Sequence, residues 1–156
     1  MRRVLQGLLL LGWIPTLMVA IGVRWLGPAP AVAAERTPVK VTRMYTGADG
    51  KTHAEEIQIP LGAARGSSER SETIDVTGIQ FVRTSDAYDL DWHNAPRRQY
   101  VVTVAGESEV IIGDGSHIRL YPGHIMLAED TTGQGHISKA VGGKDRVSLF
   151  IPLKDK

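Results

Sequence analysis

The chain has 156 residues, of which 42% are hydrophobic and 22% charged, values that exclude a collagen-like or wholly disordered polypeptide. It contains no cysteine, which removes disulfides, thiolate metal sites and cysteine nucleophiles. The formal charge of +1, without a dense block of Lys and Arg, argues against a nucleic-acid partner.

In chain order, Met1-Arg2-Arg3 is a short positive start, and Val4 to Val23 is apolar except for Gln6 and Thr16. A small-residue stretch, Gly27-Pro28-Ala29-Pro30-Ala31-Val32-Ala33-Ala34, follows. Positive, apolar, then small is the order of a secretory signal, with cleavage expected after Ala33 or Ala34. The alternative is an uncleaved anchor, because about 20 apolar residues span a bilayer; membrane contact would then run through residues 1–26 only. Residues 1–34 are therefore expected to be a signal peptide or membrane anchor helix, and residues 35–156 the working domain. That domain is expected in the periplasm or secreted, or else membrane-anchored and facing outside the cytoplasm. Without residues 1–34 the chain loses three arginines and no acid, leaving 15 basic against 17 acidic residues, a net charge of −2.

The remainder reads as short strands: Val39–Tyr45, Glu56–Pro60, Thr73–Arg83, Tyr88–Trp92, Gln99–Val104, Glu107–Ile112, Ile118–Tyr121, Ile125–Ala128, His136–Ala140 and Arg146–Leu153. Turn formers separate nearly all of them, and no 3.6-residue apolar period is sustained, so an all-β sandwich or barrel is predicted. The clearest hairpin turns through Gly113-Asp114-Gly115, and a second Asp-Gly follows Tyr45 at Asp49-Gly50. Gly62 to Ser71 reads as a mobile loop.

Chemistry concentrates in two stretches, Trp92-His93-Asn94-Ala95-Pro96-Arg97-Arg98-Gln99 through Glu107, and Tyr121-Pro122-Gly123 through Gly135-His136. Between about Thr73 and Leu153 the sequence resembles the cupin superfamily, whose two motifs read G-x5-H-x-H-x3,4-E-x6-G and G-x5-P-x-G-x2-H-x3-N. His93 matches the first histidine, Gly106 the turn glycine, Gly123 the opening glycine of the second motif, and His136 its histidine, with two residues inserted after Ala128. Ala95 replaces the second histidine, Gln99 replaces the glutamate, and Glu129-Asp130-Thr131-Thr132-Gly133 replaces the proline and glycine of the second motif. The resemblance implies a cupin-type jelly-roll β-barrel with a degenerate metal motif, of the small exported bacterial kind.

Period-two alternation places Arg97, Gln99, Val101 and Thr103 on one face of their strand. The motif alignment implies that this face looks into the barrel, so that His93 and His136 meet across the cavity beside Gln99, with Arg97 near the mouth. Ligand-binding candidates are thus His93, Arg97, Gln99 and His136. Trp92 serves either as packing or as a stacking surface. The same His93, Gln99 and His136 are the candidate ligands of a divalent metal, a set without negative charge unless Glu129 or Asp130 folds back to supply it. Arg97-Arg98 is either a fork for an anionic ligand or an ion-pair partner of Glu129-Asp130. His53, His117 and His124 sit in or beside turns, where exposure is expected. Nucleophile-elbow, phosphate-loop, zinc-protease and dinucleotide motifs are absent from the sequence.

Two functions follow. One is an exported barrel binding a small polar or anionic molecule. The alternative is a metal-dependent enzyme of the cupin kind, an oxygenase, isomerase or decarboxylase of a small organic acid, with Glu129 as candidate general base. A homodimer is a further expectation.

Overall fold

A computed structural model describes residues 36–154; the signal or anchor expected in residues 1–34 lies outside them. Ten strands, and no helix among the described residues, make up the domain. They are β1 (Val39–Thr46), β2 (Thr52–Ile59), β3 (Gln80–Thr84), β4 (Asp89–His93), β5 (Gln99–Ala105), β6 (Glu107–Ile111), β7 (His117–Leu120), β8 (Ile125–Glu129), β9 (His136–Val141) and β10 (Arg146–Pro152).

These strands form a six-stranded sheet, ordered β2-β1-β8-β5-β10-β3, and a four-stranded sheet, ordered β4-β9-β6-β7. Every pairing is antiparallel except β1 with β8. One apolar cluster takes Met44, Val101, Met126, Ala128 and Phe150 from the larger sheet and Val110, Leu120 and Ile118 from the smaller. The sheets therefore face one another across a shared core.

Alternation along β5 is as the sequence indicates: Gln99, Val101 and Thr103 are buried, while Tyr100 and Val102 are half-buried on the other face. The hairpin of β6 and β7 closes through residues 112–116, where Gly115 N–H donates to the Ile112 carbonyl at 2.9 Å and Ser116 N–H to Asp114 Oδ1 at 2.8 Å.

Two predicted strands are redrawn. Thr73–Arg83 yields only Gln80–Thr84, with a single bridge from Val76 to Leu153; Gly78 interrupts the run, and Ile74, Val76 and Ile79 stay exposed. Glu56–Pro60 is extended back to Thr52, because the turn through Asp49-Gly50 folds the chain onto the whole length of β1. As an edge strand, β2 leaves Ala54 and Glu55 in solvent, so no apolar alternation marks its first half.

Gly106 lets the chain leave one sheet and enter the other between β5 and β6. Its φ is +68°, and a Cβ there would overlap the Asp145 carbonyl oxygen. Gly106→Ala is expected to destabilise the domain by about 2 kcal/mol or more, read from the midpoint of urea unfolding at an unchanged m-value.

Candidate functional site

Between the sheets lies a cavity of about 200 Å³. Its polar lining is Tyr88, His93, Gln99, His136, Ser138 and Arg146, and its apolar walls include Ala95, Val101, Val110, Leu120, Met126 and Phe150. His93 closes β4 and His136 opens β9, and the two are paired across the strands beyond a bulge that follows Leu90. Their rings stand 4.3 Å apart, centroid to centroid, tilted by 58°. Gln99, the first residue of β5, is 4% exposed and lines the same space. The sequence reading of His93, Gln99 and His136 as one constellation corresponds to this arrangement.

Both imidazoles are held by their Nδ1 atoms. His93 Nδ1–H donates to the Asp91 carbonyl at 2.7 Å, and His136 Nδ1–H donates to Asp130 Oδ2 at 2.5 Å. Each Nε2 is then the ring atom left for the cavity, and in the neutral ring it is an acceptor. Asp130 is fully buried; its Oδ2 also accepts from the Thr52 hydroxyl at 3.3 Å, and its backbone carbonyl accepts from Ala95 N–H at 3.1 Å. Gly135, at φ +75°, brings the start of β9 against His93, where a Cβ would overlap the His93 carbonyl.

Other candidates fall elsewhere. Arg97 is exposed and is not part of the cavity lining, because the chain bends through residues 96–98 and the β5 alternation does not extend back to it. Trp92 is 42% exposed, preceding His93 on the strand and directed away from the lining. Glu129 follows the buried Ala128 on β8 and faces outward, where it accepts from Arg43 Nε at 2.6 Å and Arg98 Nε at 2.9 Å. Burial pushes its carboxyl up, but the two guanidinium hydrogen bonds outweigh this and hold it below the ordinary range. It is an anchored ion-pair residue, outside the cavity, and not placed to act there as a base. Arg98 thus takes the ion-pair role read for the Arg97-Arg98 pair, while Asp130 turns inward to His136. His124 is half-buried rather than exposed, its Nε2 sharing a hydrogen bond with the Thr42 hydroxyl at 3.0 Å.

Arg146 was not singled out by the sequence. It opens β10, is 8% exposed and lines the cavity. Its Nη1 donates to Ser108 Oγ at 2.6 Å, and its Nε has no partner among the described residues. Arg-Val-Ser-Leu-Phe-Ile reads as a strand whose apolar residues Val147, Leu149 and Ile151 would be assigned inward; the structure turns Arg146 and Ser148 inward instead.

The donors present do not fit a resident divalent metal. The imidazole orientation, with Nδ1 tied back and Nε2 free, is one that metal-binding histidines share. However, two imidazoles and one amide include no anionic ligand atom, the Asp130 carboxyl being engaged by His136 Nδ1 behind the ring, and the guanidinium of Arg146 lines the same cavity and opposes a cation. Among the described residues no group of three or more His, Asp or Glu side chains is assembled to hold a metal.

Two outcomes are expected. Asp130→Ala leaves a buried imidazole without its partner and should cost about 3 kcal/mol in urea unfolding. Burial pushes His93 below the ordinary histidine range, against the Asp91 carbonyl, and does the same to His124. The unfolded chain therefore binds more protons than the folded one as pH drops through about 6.5, so stability should fall across that window and level off below the folded values. Unfolding free energies measured from pH 8 to 5.5 check this, and the slope should flatten in the H93Q/H124Q double variant.

No protein-family model and no curated protein matches the chain. Solved structures do. A conserved protein of unknown function from Streptococcus pyogenes is 18% identical over 55% of this chain and 71% of its own, with a TM-score of 0.38. An RmlC-like cupin protein from Desulfovibrio desulfuricans is 18% identical over 51% and 80%, with a TM-score of 0.35. The Cnp3 cupin domain of Schizosaccharomyces pombe is 8% identical over 76% and 86%, with a TM-score of 0.40. Cupin-type proteins are thus among the solved structures that this all-β chain resembles.

Proposed function

We propose that this domain binds a small polar organic molecule inside its barrel, against His93, Gln99 and His136. The observation that carries the reading is the paired imidazoles, 4.3 Å apart, each fixed through Nδ1 and presenting Nε2 beside a buried amide in a formed cavity. Neutral Nε2 atoms accept hydrogen bonds from a hydroxyl, and the amide of Gln99 both donates and accepts. A volume of about 200 Å³ suits a small metabolite, lying below the ~300–1,000 Å³ of pockets for drug-sized ligands. Placement outside the cytoplasm is part of the proposal and is supported by the order of residues in the first 34 positions. A mature protein beginning at Ala34 or Glu35 by amino-terminal sequencing is the expected result for a cleaved signal.

Thermal-shift screening of the full chain against small hydroxy acids, polyols and amides tests the binding. At least one compound is expected to raise the melting temperature by several degrees, as saturating ligand does. Gln99→Leu should abolish that shift, while Glu129→Gln, on the outer face, should leave it intact. A panel without effect overturns the reading. So does stoichiometric metal in protein purified without chelators, lost in His93→Ala, which would favour the metal-dependent enzyme.

A further inference from the structure

We infer that the occupant of this cavity is a small carboxylate whose anionic end is held by Arg146, at the end of the barrel away from the histidine pair. The inference rests on the cavity-binding reading above and specifies the ligand's class and orientation.

The strand register separates the two ends. On β5 and β10, Gln99 pairs with Pro152 while Ala105 pairs with Val147, so Arg146 sits beside the opposite end of β5 from Gln99. On β6 and β9, the Ser108 that receives Arg146 pairs with Ala140, four residues along the strand from His136. Between the ends the walls are Val101, Val110, Leu120, Met126 and Phe150. The cavity is therefore lined by imidazole and amide groups at one end, apolar along its length, and cationic at the other.

A guanidinium stays protonated when buried, so the charge of Arg146 must be met by something. Among the described residues its one hydrogen-bond partner is the neutral hydroxyl of Ser108, and no carboxylate lies within 4.0 Å of it. Nε has no acceptor, although the side chain is more than nine-tenths buried. The cavity lining contains no Asp or Glu. A planar fork that lines a cavity free of acids is matched by an entering carboxylate, which accepts two parallel N–H bonds. Tyr88, half-buried, lines the same cavity and carries a phenol that can donate as well. With the opposite end offering acceptors and an amide, the complementary molecule carries a carboxylate at one terminus, a hydroxyl at the other and a short aliphatic link.

Isothermal titration of the native full chain with 4-hydroxybutyrate and 6-hydroxyhexanoate, each against its amide, is the test. Each acid is expected to bind at least tenfold more tightly than its amide. Arg146→Met should erase that preference while keeping or raising the melting temperature, since it replaces an uncompensated buried charge with an apolar chain. Arg146→Lys keeps the charge without the fork and should give an intermediate preference, which supplies a second reading of the fork should Arg146→Met fail to fold. Equal binding of acid and amide by the native protein, with both weakened by Gln99→Leu, overturns the carboxylate assignment and leaves the cavity-binding reading standing. Inorganic phosphate that binds more tightly than either acid and is lost in Arg146→Met overturns the carboxylate class. Silence from every compound, here and in the thermal screen, removes both.

Discussion

The carboxyl group of Asp130 is the point to which the rest of the site is tied. It lies just past β8 in the six-stranded sheet, with no exposure to solvent, and reaches His136 of the four-stranded sheet and Thr52 at the start of β2. Its backbone carbonyl receives Ala95, in the segment that joins β4 to β5. One residue thereby fixes the His136 ring and anchors the segment between His93 and Gln99. A buried carboxylate of this kind is expensive unless every neighbour is in place, so the arrangement is sensitive as a unit.

Glu129 and Asp130 show how a single step along an extended chain divides two similar side chains between opposite duties. The outward Glu129 gathers Arg43 and Arg98 into an ion-pair cluster on the outside of the larger sheet. The inward Asp130 orients a histidine. Neither faces the cavity as a free base, and the electrostatic character of the interior is accordingly decided by other groups. Those are two imidazoles, an amide, a phenol and one guanidinium.

Much of this was legible beforehand where local rules apply. Alternation along Gln99–Val104 placed Gln99 and Val101 on one face, and the Gly113-Asp114-Gly115 hairpin closed as read. The spacing of His93 and His136 against motif positions brought together two rings 43 positions apart in the chain. The same rules failed at strand ends. Arg97 was carried into the barrel by extending a period of two across a bend. Glu129 and Asp130 could not be told apart without knowing where β8 stops.

What the sequence by itself determined was the succession of short strands, their turns and the residues able to do chemistry, because side-chain period and turn chemistry act over a few neighbouring positions. What only the tertiary structure decided was which face of β10 looks inward, that Arg146 meets no carboxylate among the described residues, and that Asp130 rather than a cavity group holds His136. Those outcomes depend on the packing of one sheet against another, and an apolar alternation such as Val147, Leu149 and Ile151 fits either side of a sheet until its partner surfaces are in place.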